Sequence, residues 1–278
     1  MRRHLTTIMS VSLSVLLTMA VSSCGSYTNV FKSNDPDFRY EAAKAYFATG
    51  QYNRASTLLN DLITILKGSP KGEESVYMLG MSYYNDKDYS MAAQTFQQYY
   101  AVYPRGKYVE RSRFYAGKAM YLDSPETRLD QTDTYSAIQE LQVFIEYYPE
   151  SQYRDEAQDM IFQMQDKLVE KELLASELYY NLGTYLGNNY QSCVITAQNA
   201  LKDYPYTRFR EDLSLLVLRA KYALAQNSVE DKRIDRYREA ADESYAFKNE
   251  FPESENVKLA DEILEKTEKV LAGVSEDE

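Results

Sequence analysis

The sequence of 278 residues is long enough for two ordinary domains or one extended array of repeats, and its scarce glycine (10 residues) and proline (7 residues) favour the array. A formal net charge of −11 argues against nucleic acid as a partner, because nucleic acid phosphates call for a basic surface. With one histidine and two cysteines, the chain offers few residues for nucleophilic or metal chemistry.

The first 23 residues have the layout of a secretory signal peptide. Basic residues at the N-terminus precede an apolar run from Ile8 to Val21, which is too short to span a membrane. The small residues before Cys24 resemble a lipobox, the bacterial signal for attaching lipid to a cysteine and cutting just before it. We therefore expect cleavage after residue 23, acylation of Cys24 with palmitate among the chains, and a linker over residues 24–36. An ordinary signal peptide with a chance cysteine is the alternative.

Cleavage at this site would remove the only histidine and leave 29 basic and 42 acidic side chains, a net charge of −13. A chain without histidine has no Ser–His or Cys–His nucleophile pair, no His-ligated zinc and no imidazole acid–base chemistry. Cys193 would be the remaining thiol, too few for an internal disulfide. Adjacent carboxylates such as Asp155 and Glu156 face different ways on a helix and match solvated surface. We expect no enzyme activity, no metal and no cofactor.

Four short phrases around a proline divide the rest of the chain. Each follows an apolar helical stretch, and a Ser, Thr or Gly comes two places after the proline; the phrases begin at Tyr103, Tyr148, Tyr204 and Phe251. Proline cannot continue a helix, and the small polar residue can cap the next one. Each phrase therefore predicts the end of one helix and the start of another, so that the repeating unit is a helix pair.

The clearest pair, from Glu73 to Gly106, follows the tetratricopeptide pattern, whose period is 34 residues. Small residues at Gly80 and Ala92 would let its two helices approach closely. The sequence predicts an all-α fold, a tetratricopeptide-like helical-hairpin superhelix or α-solenoid with about five repeats and a capping helix from Val257 to Leu271. The predicted parts are a front half with repeats 1–3 (37–158), a back half with a long helix, repeats 4–5 and the capping helix (159–273), and a frayed tail (274–278).

Three irregularities interrupt this pattern. A polar insertion from Ser124 to Asp133 predicts a loop inside the third repeat. Tyr153 to Leu186 contains no proline and no glycine before Gly183, which predicts one or two long helices. The fourth repeat is degenerate, and Cys193 stands where the repeat usually has alanine, which favours a small buried packing residue over a reactive thiol.

Two segments carry a more specific signal than the repeats. YPESQYRDEA (Tyr148 to Ala157) and DKLVEKE (Asp166 to Glu172) resemble the BamD family, also called ComL, and the resemblance covers essentially the whole chain after Cys24. It implies an outer-membrane lipoprotein that faces the periplasm and acts in the machinery that inserts β-barrel proteins, beside the barrel protein BamA. The resemblance also implies further lipoproteins of the Bam complex as partners. The weak fourth repeat departs from the family pattern.

In a tetratricopeptide array the first helices of successive pairs line one surface, at fixed offsets. Here the offsets select Tyr40, Lys44, Phe47, Tyr77, Met81 and Tyr84. These residues predict an aromatic groove for an extended peptide with aromatic or apolar side chains. The resemblance implies that this peptide is a segment of an unfolded outer-membrane protein. The alternative is that the same residues pack against neighbouring helices.

Two arginines stand out in so acidic a chain. Arg208 and Arg210 lie in the phrase that follows the fourth repeat, and they are candidates for contact with a partner's carboxylates. The resemblance implies that the back half docks the BamA-like barrel protein. Two solvated arginines are the alternative, because exposed charges usually contribute little.

Two other functions stay open. Carbohydrate-binding helical-repeat lipoproteins of glycan uptake systems stack sugars on tryptophan, and this chain has none, although its 27 tyrosines could substitute. Periplasmic coordinators of cell-wall synthesis usually join a coiled coil to their repeats, and no sustained heptad is present here.

Overall fold

The computed structural model describes residues 27–275. The predicted signal peptide, Cys24 and the end of the predicted tail (276–278) lie outside the described residues. Within them, a short helical segment at 27–31 precedes eleven α-helices, and there is no β-strand, which confirms the predicted all-α class. The helices are α1 (Pro36–Ala48), α2 (Tyr52–Ile65), α3 (Pro70–Asn85), α4 (Tyr89–Val102), α5 (Val109–Asp123), α6 (Thr132–Tyr147), α7 (Arg154–Leu182), α8 (Asn189–Asp203), α9 (Arg210–Gln226), α10 (Glu230–Glu250) and α11 (Val257–Ser275).

The helices form five successive hairpins, α1–α2 to α9–α10, and a final helix, which confirms the predicted repeat architecture. The single helix α7, 29 residues long, ends just before Gly183, as the absence of earlier helix breakers predicts. The capping helix α11 begins at the predicted residue, Val257, and continues four residues beyond the predicted end, to Ser275.

Local sequence signals start several of these helices. Asp35 caps α1, since its side chain accepts hydrogen bonds from the amides of Asp37 and Phe38, at 3.0 and 3.3 Å. Ser69 caps α3 in the same way through the amide of Gly72, at 3.0 Å. In both helices a proline follows the cap, where the missing N–H costs nothing.

The described residues divide into two compact units. Unit 1 contains the residues up to Ser124 together with Gln139–Ala157, and unit 2 contains Pro125–Ile138 and everything from Gln158 onward. The division therefore falls within α6 and α7, and the inserted segment after α5 belongs to unit 2.

The core of unit 1 depends on close contact between paired helices. A Cβ atom at Gly80 of α3 would lie 2.6 Å from Cε1 of Phe96 on α4, a ring that is itself fully buried. Gly117 of α5 meets Leu141 of α6 in the same manner, at 2.5 Å. The prediction that Gly80 lets its two helices approach closely is thus confirmed.

The core of unit 2 contains Cys193. Its side chain is fully buried on α8 and belongs to a cluster with Val169 of α7 and Val217 of α9, which confirms the predicted packing role. Burial raises the pKa of the Cys193 thiol to about 12. The thiol therefore stays protonated at neutral pH, and the reactive thiolate does not form.

The predicted loop in the third repeat is confirmed, and it spans 124–131 because α6 already begins at Thr132. Two lysines of α7 hold the loop: Lys167 Nζ donates to the Pro125 carbonyl at 3.1 Å, and Lys171 Nζ donates to the Leu129 carbonyl at 2.8 Å. Gln131 is buried, and its amide nitrogen donates to carbonyls of the same loop. From Pro125 onward, the insertion is part of unit 2.

Each proline phrase is held by a carboxylate on the first helix of the same hairpin. The carboxylate accepts a hydrogen bond from the small polar side chain of the phrase or, in the second repeat, from a backbone amide. The pairs are Glu73 with the Lys107 amide (2.6 Å), Glu110 with Ser151 (2.6 Å), Asp166 with Thr207 (2.7 Å) and Glu211 with Ser254 (2.5 Å). This recurring contact, which we call the carboxylate–turn contact, ties each connection to its own repeat.

Candidate functional site

The predicted groove residues belong to the first helices of unit 1, and these helices touch one another in chain order. We call their shared side the first-helix face. The predicted residues at this side are Tyr40, Lys44 and Phe47 on α1 and Tyr77, Met81 and Tyr84 on α3, and α5 adds Tyr108, Arg111, Tyr115 and Lys118.

Tyr40 lies beneath the first-helix face and does not line it, since only 2% of the residue is exposed. Its hydroxyl donates to Glu74 Oε2 at 2.6 Å, and Lys44 Nζ lies 3.3 Å from the other oxygen of the same carboxylate. The ammonium groups of Lys44 and Lys71 each lie 5.3 Å from the centre of the Tyr40 ring. Tyr40 therefore supports the partly exposed Lys44 from below.

Burial and the hydrogen bond to Glu74 raise the pKa of the Tyr40 hydroxyl far above its usual range. The same hydrogen bond, with help from Lys44, lowers the pKa of the Glu74 carboxyl. The pair is therefore a neutral phenol donating to a charged carboxylate at neutral pH.

Tyr77 joins α3 to α5. Its ring stacks on Tyr108, with the ring centres 4.3 Å apart and the planes 7° from parallel, and it meets Tyr99 edge-on at 6.3 Å. Burial raises the pKa of the Tyr77 hydroxyl, and the guanidinium of Arg111 opposes that rise. Part of the ring stays exposed beside the exposed Arg111.

Tyr84, further along α3 than Tyr77, makes a second contact between α3 and α5. Its ring packs edge-on against Tyr115 at 5.1 Å and against Tyr89 at 5.7 Å. Met81 lies between Tyr77 and Tyr84 on the same helix, and all three are partly exposed. Lys118 Nζ, 2.6 Å from Glu156 Oε1, closes this end of the face.

Phe47 is the exception among the predicted residues. Its ring packs edge-on against Tyr52 at 5.7 Å, within its own hairpin. The structure thus brings Tyr77, Met81 and Tyr84 together with α5 and leaves Phe47 with the first repeat.

Sequence reasoning missed the contribution of α5. Lys118 follows Met81 by the 37 residues that separate Met81 from Lys44, so the same spacing carried one repeat further would have found it. Tyr108, Arg111 and Tyr115 occupy other offsets and become visible only through their contacts with α3.

The cations of the face differ in their partners. Lys44, Lys71 and Lys118 each have a carboxylate partner, whereas Arg111 faces the hydroxyls of Tyr77 and Tyr153. A guanidinium between phenol rings can donate to carbonyl or carboxylate oxygens of a chain laid across the face. The arrangement offers exposed ring edges for apolar side chains and a donor for backbone oxygens.

The two arginines predicted for docking lie in unit 2 and differ in how closely other residues of the chain hold their side chains. Arg210 hydrogen-bonds Glu250 through Nε and donates to the Pro205 carbonyl at 3.1 Å, which ties it to its own repeat. The Arg208 side chain is 68% exposed, its Nε lies 3.6 Å from Asp166 Oδ2, and its guanidinium covers the Phe209 ring at 4.7 Å. Arg208 is the arginine that a partner can reach without breaking a close ion pair.

A cleft of about 260 Å³ lies beside Arg208 in the same unit. Phe162 and Asp166 of α7 form one side, and the turn from Asp203 to Thr207 forms the other. Tyr206 stands at its rim, 90% exposed.

Among the described residues, no group of His, Cys, Asp and Glu side chains is arranged to hold a metal ion. None of the helices in this part of the chain is both long enough and apolar enough to cross a membrane.

Comparisons with known proteins give a family match over most of the chain. A family model described as outer membrane lipoprotein, YfiO, matches residues 32–236. The outer membrane protein assembly factor BamD of Neisseria meningitidis serogroup B (strain ATCC BAA-335 / MC58) is 22% identical over 263 residues, which cover 88% of this chain and 92% of the relative.

Two crystal structures of nearly identical TPR-like repeats from a putative kinesin light chain of Podosopora anserina, one of them a point variant, are 15% identical to the chain. The variant covers 78% of this chain and 95% of its own, the other structure 80% and 100%, and both have a TM-score of 0.32, too low to support any argument.

Proposed function

The chain belongs to the YfiO family of outer membrane lipoproteins, and from this we propose that it is a non-enzymatic component of the β-barrel assembly machinery. It binds unfolded segments of outer-membrane proteins through the first-helix face of unit 1, and it docks a BamA-like barrel protein through unit 2. The observation that carries the proposal is the family match over residues 32–236, together with a relative named as an outer membrane protein assembly factor.

The proposal includes attachment to the outer membrane. Acyl chains on Cys24 hold the protein on the periplasmic face, because each buried methylene adds about 0.8 kcal/mol and two or more chains make the attachment durable. Further lipoproteins of the complex bind to the same assembly. Replacing Cys24 by alanine would release the chain into the periplasmic fraction, whereas retention in the outer membrane would contradict the anchor.

The first-helix face suits an extended peptide with apolar side chains. Tyr77, Met81 and Tyr84 are partly exposed on one helix, and each large side chain that a peptide buried there would contribute about 1.5–3 kcal/mol before ordering costs. Arg111 is available to the peptide's backbone or terminal oxygens. A dissociation constant near micromolar, which corresponds to a binding free energy of about −8 kcal/mol, permits release of the segment for insertion.

Peptide binding can be tested with a fluorescent peptide from the terminal strand of an outer-membrane protein. We expect Tyr77→Ala combined with Tyr84→Ala to weaken binding about tenfold or more, as the loss of central aromatic contacts usually does. Tyr83→Ala is the control, because Tyr83 is a partly exposed tyrosine of the same helix that lies outside the predicted groove residues. Unchanged affinity of the double variant, or an equal loss in the control, would remove the groove assignment.

Docking through unit 2 calls for a separate measurement. Arg208→Glu reverses the exposed charge, and we expect it to reduce recovery of the barrel protein from detergent-solubilised outer membrane, most strongly at low salt. Lys202→Glu, an exposed change at the end of α8, controls for net charge. Full recovery with Arg208→Glu would mean that this arginine is solvated surface.

The whole assignment depends on which partners co-purify with the intact lipoprotein. Stoichiometric recovery of a protein with periplasmic repeats and a β-barrel is the expected result. Recovery of a TonB-dependent glycan transporter in its place would replace the assembly role with the uptake function.

A further inference from the structure

The loop between α7 and α8 is longer than the loops of three other hairpins. It spans six residues, 183–188, whereas three residues connect the helices of the first, second and fifth hairpins, at 49–51, 86–88 and 227–229. The extra residues carry Tyr185 and Leu186 at the tip, 67% and 91% exposed.

Leu186 is unfavourable for folding in two independent ways. Its φ of +54° places it in the left-handed region, where the Cβ of an L-residue is crowded and glycine is preferred. Its side chain also leaves nearly all of its apolar surface in water. A glycine at this position would avoid both penalties. A residue that opposes the fold without compensation inside it points to a role outside it.

The loop presents this side chain in a fixed geometry. The Asn189 amide donates to the Gly183 carbonyl at 2.9 Å, and the Asn189 side chain donates to the Tyr185 carbonyl at 2.8 Å, so both bonds close the loop from its C-terminal end. Gly183 has a φ of +55°, and a Cβ atom there would lie 2.9 Å from the Tyr190 hydroxyl. The tip is therefore held by hydrogen bonds and packing.

The segment leading to the tip has exposed leucines and no charged side chain of its own, although the exposed Arg219 guanidinium of α9 lies over the Tyr180 ring at 4.7 Å. Leu178 and Leu182, one helical turn apart on α7, are 58% and 37% exposed. The sequence has no charged side chain from Leu178 to Leu201, although 26% of the whole chain is charged. Depletion of charge together with enrichment in aromatic residues is the compositional mark of an interface centre.

We infer that Leu186 and Tyr185 form an anchor that inserts into an apolar pocket on a protein partner of unit 2. This inference rests on the proposed function, which gives unit 2 a barrel-protein partner. A pocket requires a fixed anchor, and the hydrogen-bonded loop supplies one. A bilayer would accept a loose loop as readily, and residues 178–201 contribute no cation of their own to attract lipid phosphates, which leaves Arg219 of α9 as the cation over Tyr180.

The anchor predicts a contact that salt does not weaken. We expect Leu186→Gly and Leu186→Asp to reduce affinity for the periplasmic domain of the co-purified barrel protein about tenfold, at about 0.15 M and 0.5 M salt alike. Leu186→Gly relieves the left-handed strain, so its thermal midpoint should equal or exceed that of the unmodified chain, and weaker binding cannot then be due to unfolding. Val229→Asp is the matched control, since Val229 is a 67% exposed aliphatic residue in the corresponding loop of the fifth hairpin.

A spectroscopic test separates a protein pocket from a membrane. The chain has no tryptophan, so Leu186→Trp introduces a single indole at the tip. We expect its emission to shift to the blue on addition of the barrel protein's periplasmic domain and to stay unchanged with phosphatidylethanolamine–phosphatidylglycerol vesicles. A shift with vesicles alone, or with neither, would overturn the anchor.

The two proposals fail in distinguishable ways. If the unmodified chain does not bind the barrel protein's periplasmic domain, the proposed function and the anchor fall together. If the unmodified chain binds and Leu186→Gly binds equally well, the anchor alone is wrong and the assembly role stands.

Discussion

Single residues in left-handed conformation show how the repeats tolerate different side chains at one position. Gly50 and Lys87 occupy corresponding places in the first two hairpin loops, with φ values of +74° and +66°. In both loops the amide of the next residue donates to a carbonyl five residues earlier in the helix, at 2.8 and 2.9 Å. This is the Schellman arrangement, in which glycine is favoured because it has no Cβ.

Lys87→Gly should therefore stabilise the protein. We expect the free energy of unfolding to rise by about 1 kcal/mol, since relief of the left-handed strain exceeds the added freedom of glycine in the unfolded chain. Urea unfolding followed by circular dichroism measures the change. The reverse replacement, Gly50→Ala, should lower stability by a similar amount, and a loss of stability in Lys87→Gly would contradict the conformational argument.

The carboxyl of Glu74 makes the stability of the folded protein depend on pH. Hydrogen bonds, first from Tyr40 and then from Lys44, lower the pKa of its carboxyl below the ordinary 4.5. A carboxyl with a lowered pKa in the folded protein contributes stability that is fully present above its unfolded pKa and is lost as pH falls through the folded value.

Glu74→Gln should consequently lower stability at pH 7, and the difference from the unmodified chain should shrink as pH falls below about 4.5. Urea unfolding at a series of pH values provides the measurement. Glu41→Gln, at an exposed position of α1, serves as the control. A difference that stays constant down to about pH 3 would show that the Tyr40–Glu74 pair does not depend on the carboxylate charge.

Among the elements, the carboxylate–turn contact explains how each hairpin holds the connection that follows it. Glu211 of α9 accepts hydrogen bonds from the Ser254 hydroxyl at 2.5 Å and from the Asn256 side chain at 3.1 Å. Ser254 in turn accepts from the Asn256 amide at 3.0 Å, so that one carboxylate organises the turn that precedes α11.

Glu211→Ala should lower the free energy of unfolding by about 1–3 kcal/mol, because it leaves partly buried donors without their acceptor. Glu211→Gln keeps an acceptor oxygen and should recover part of the loss. Glu253→Ala changes an exposed carboxylate of the same turn and should have little effect. Equal stability of the Glu211 and Glu253 variants in urea titrations would contradict the role of the contact.

At the scale of the whole molecule, an array of repeats must cover its last apolar face, and α11 does this within unit 2. Ala260 and Ile263 of α11 form a buried cluster with Leu218 of α9 and Phe247 of α10. Without α11, the side chain of Phe247, which is now buried, would be exposed to water.

Ile263→Asp should separate α11 from the fifth hairpin, since a carboxylate placed in this cluster would be buried without a partner. We expect increased binding of a hydrophobic dye and self-association in sedimentation. Glu262→Asp, at the exposed neighbouring position, is the matched control. A monomeric protein with unchanged dye binding would mean that α11 does not act as the cap.

Local sequence patterns correctly predict the helical repeats, the capping helix from Val257, the long helix up to Gly183 and the burial of Cys193. These features depend on local signals: periodic apolar residues, helix breakers and small residues at fixed spacings. Each signal acts within a few turns of its own helix, so it can be read without knowing what lies across the fold.

The exposure of the residues at the first-helix face could not be predicted from such local patterns. Tyr40 and Tyr77 share one offset, yet Tyr40 is buried over Glu74, whereas Tyr77 meets Tyr108 and remains partly exposed. Similarly, Arg210 is held by Glu250, 40 residues away. An offset fixes the direction of a side chain from its own helix, but its exposure and partners depend on neighbouring helices that are distant in sequence.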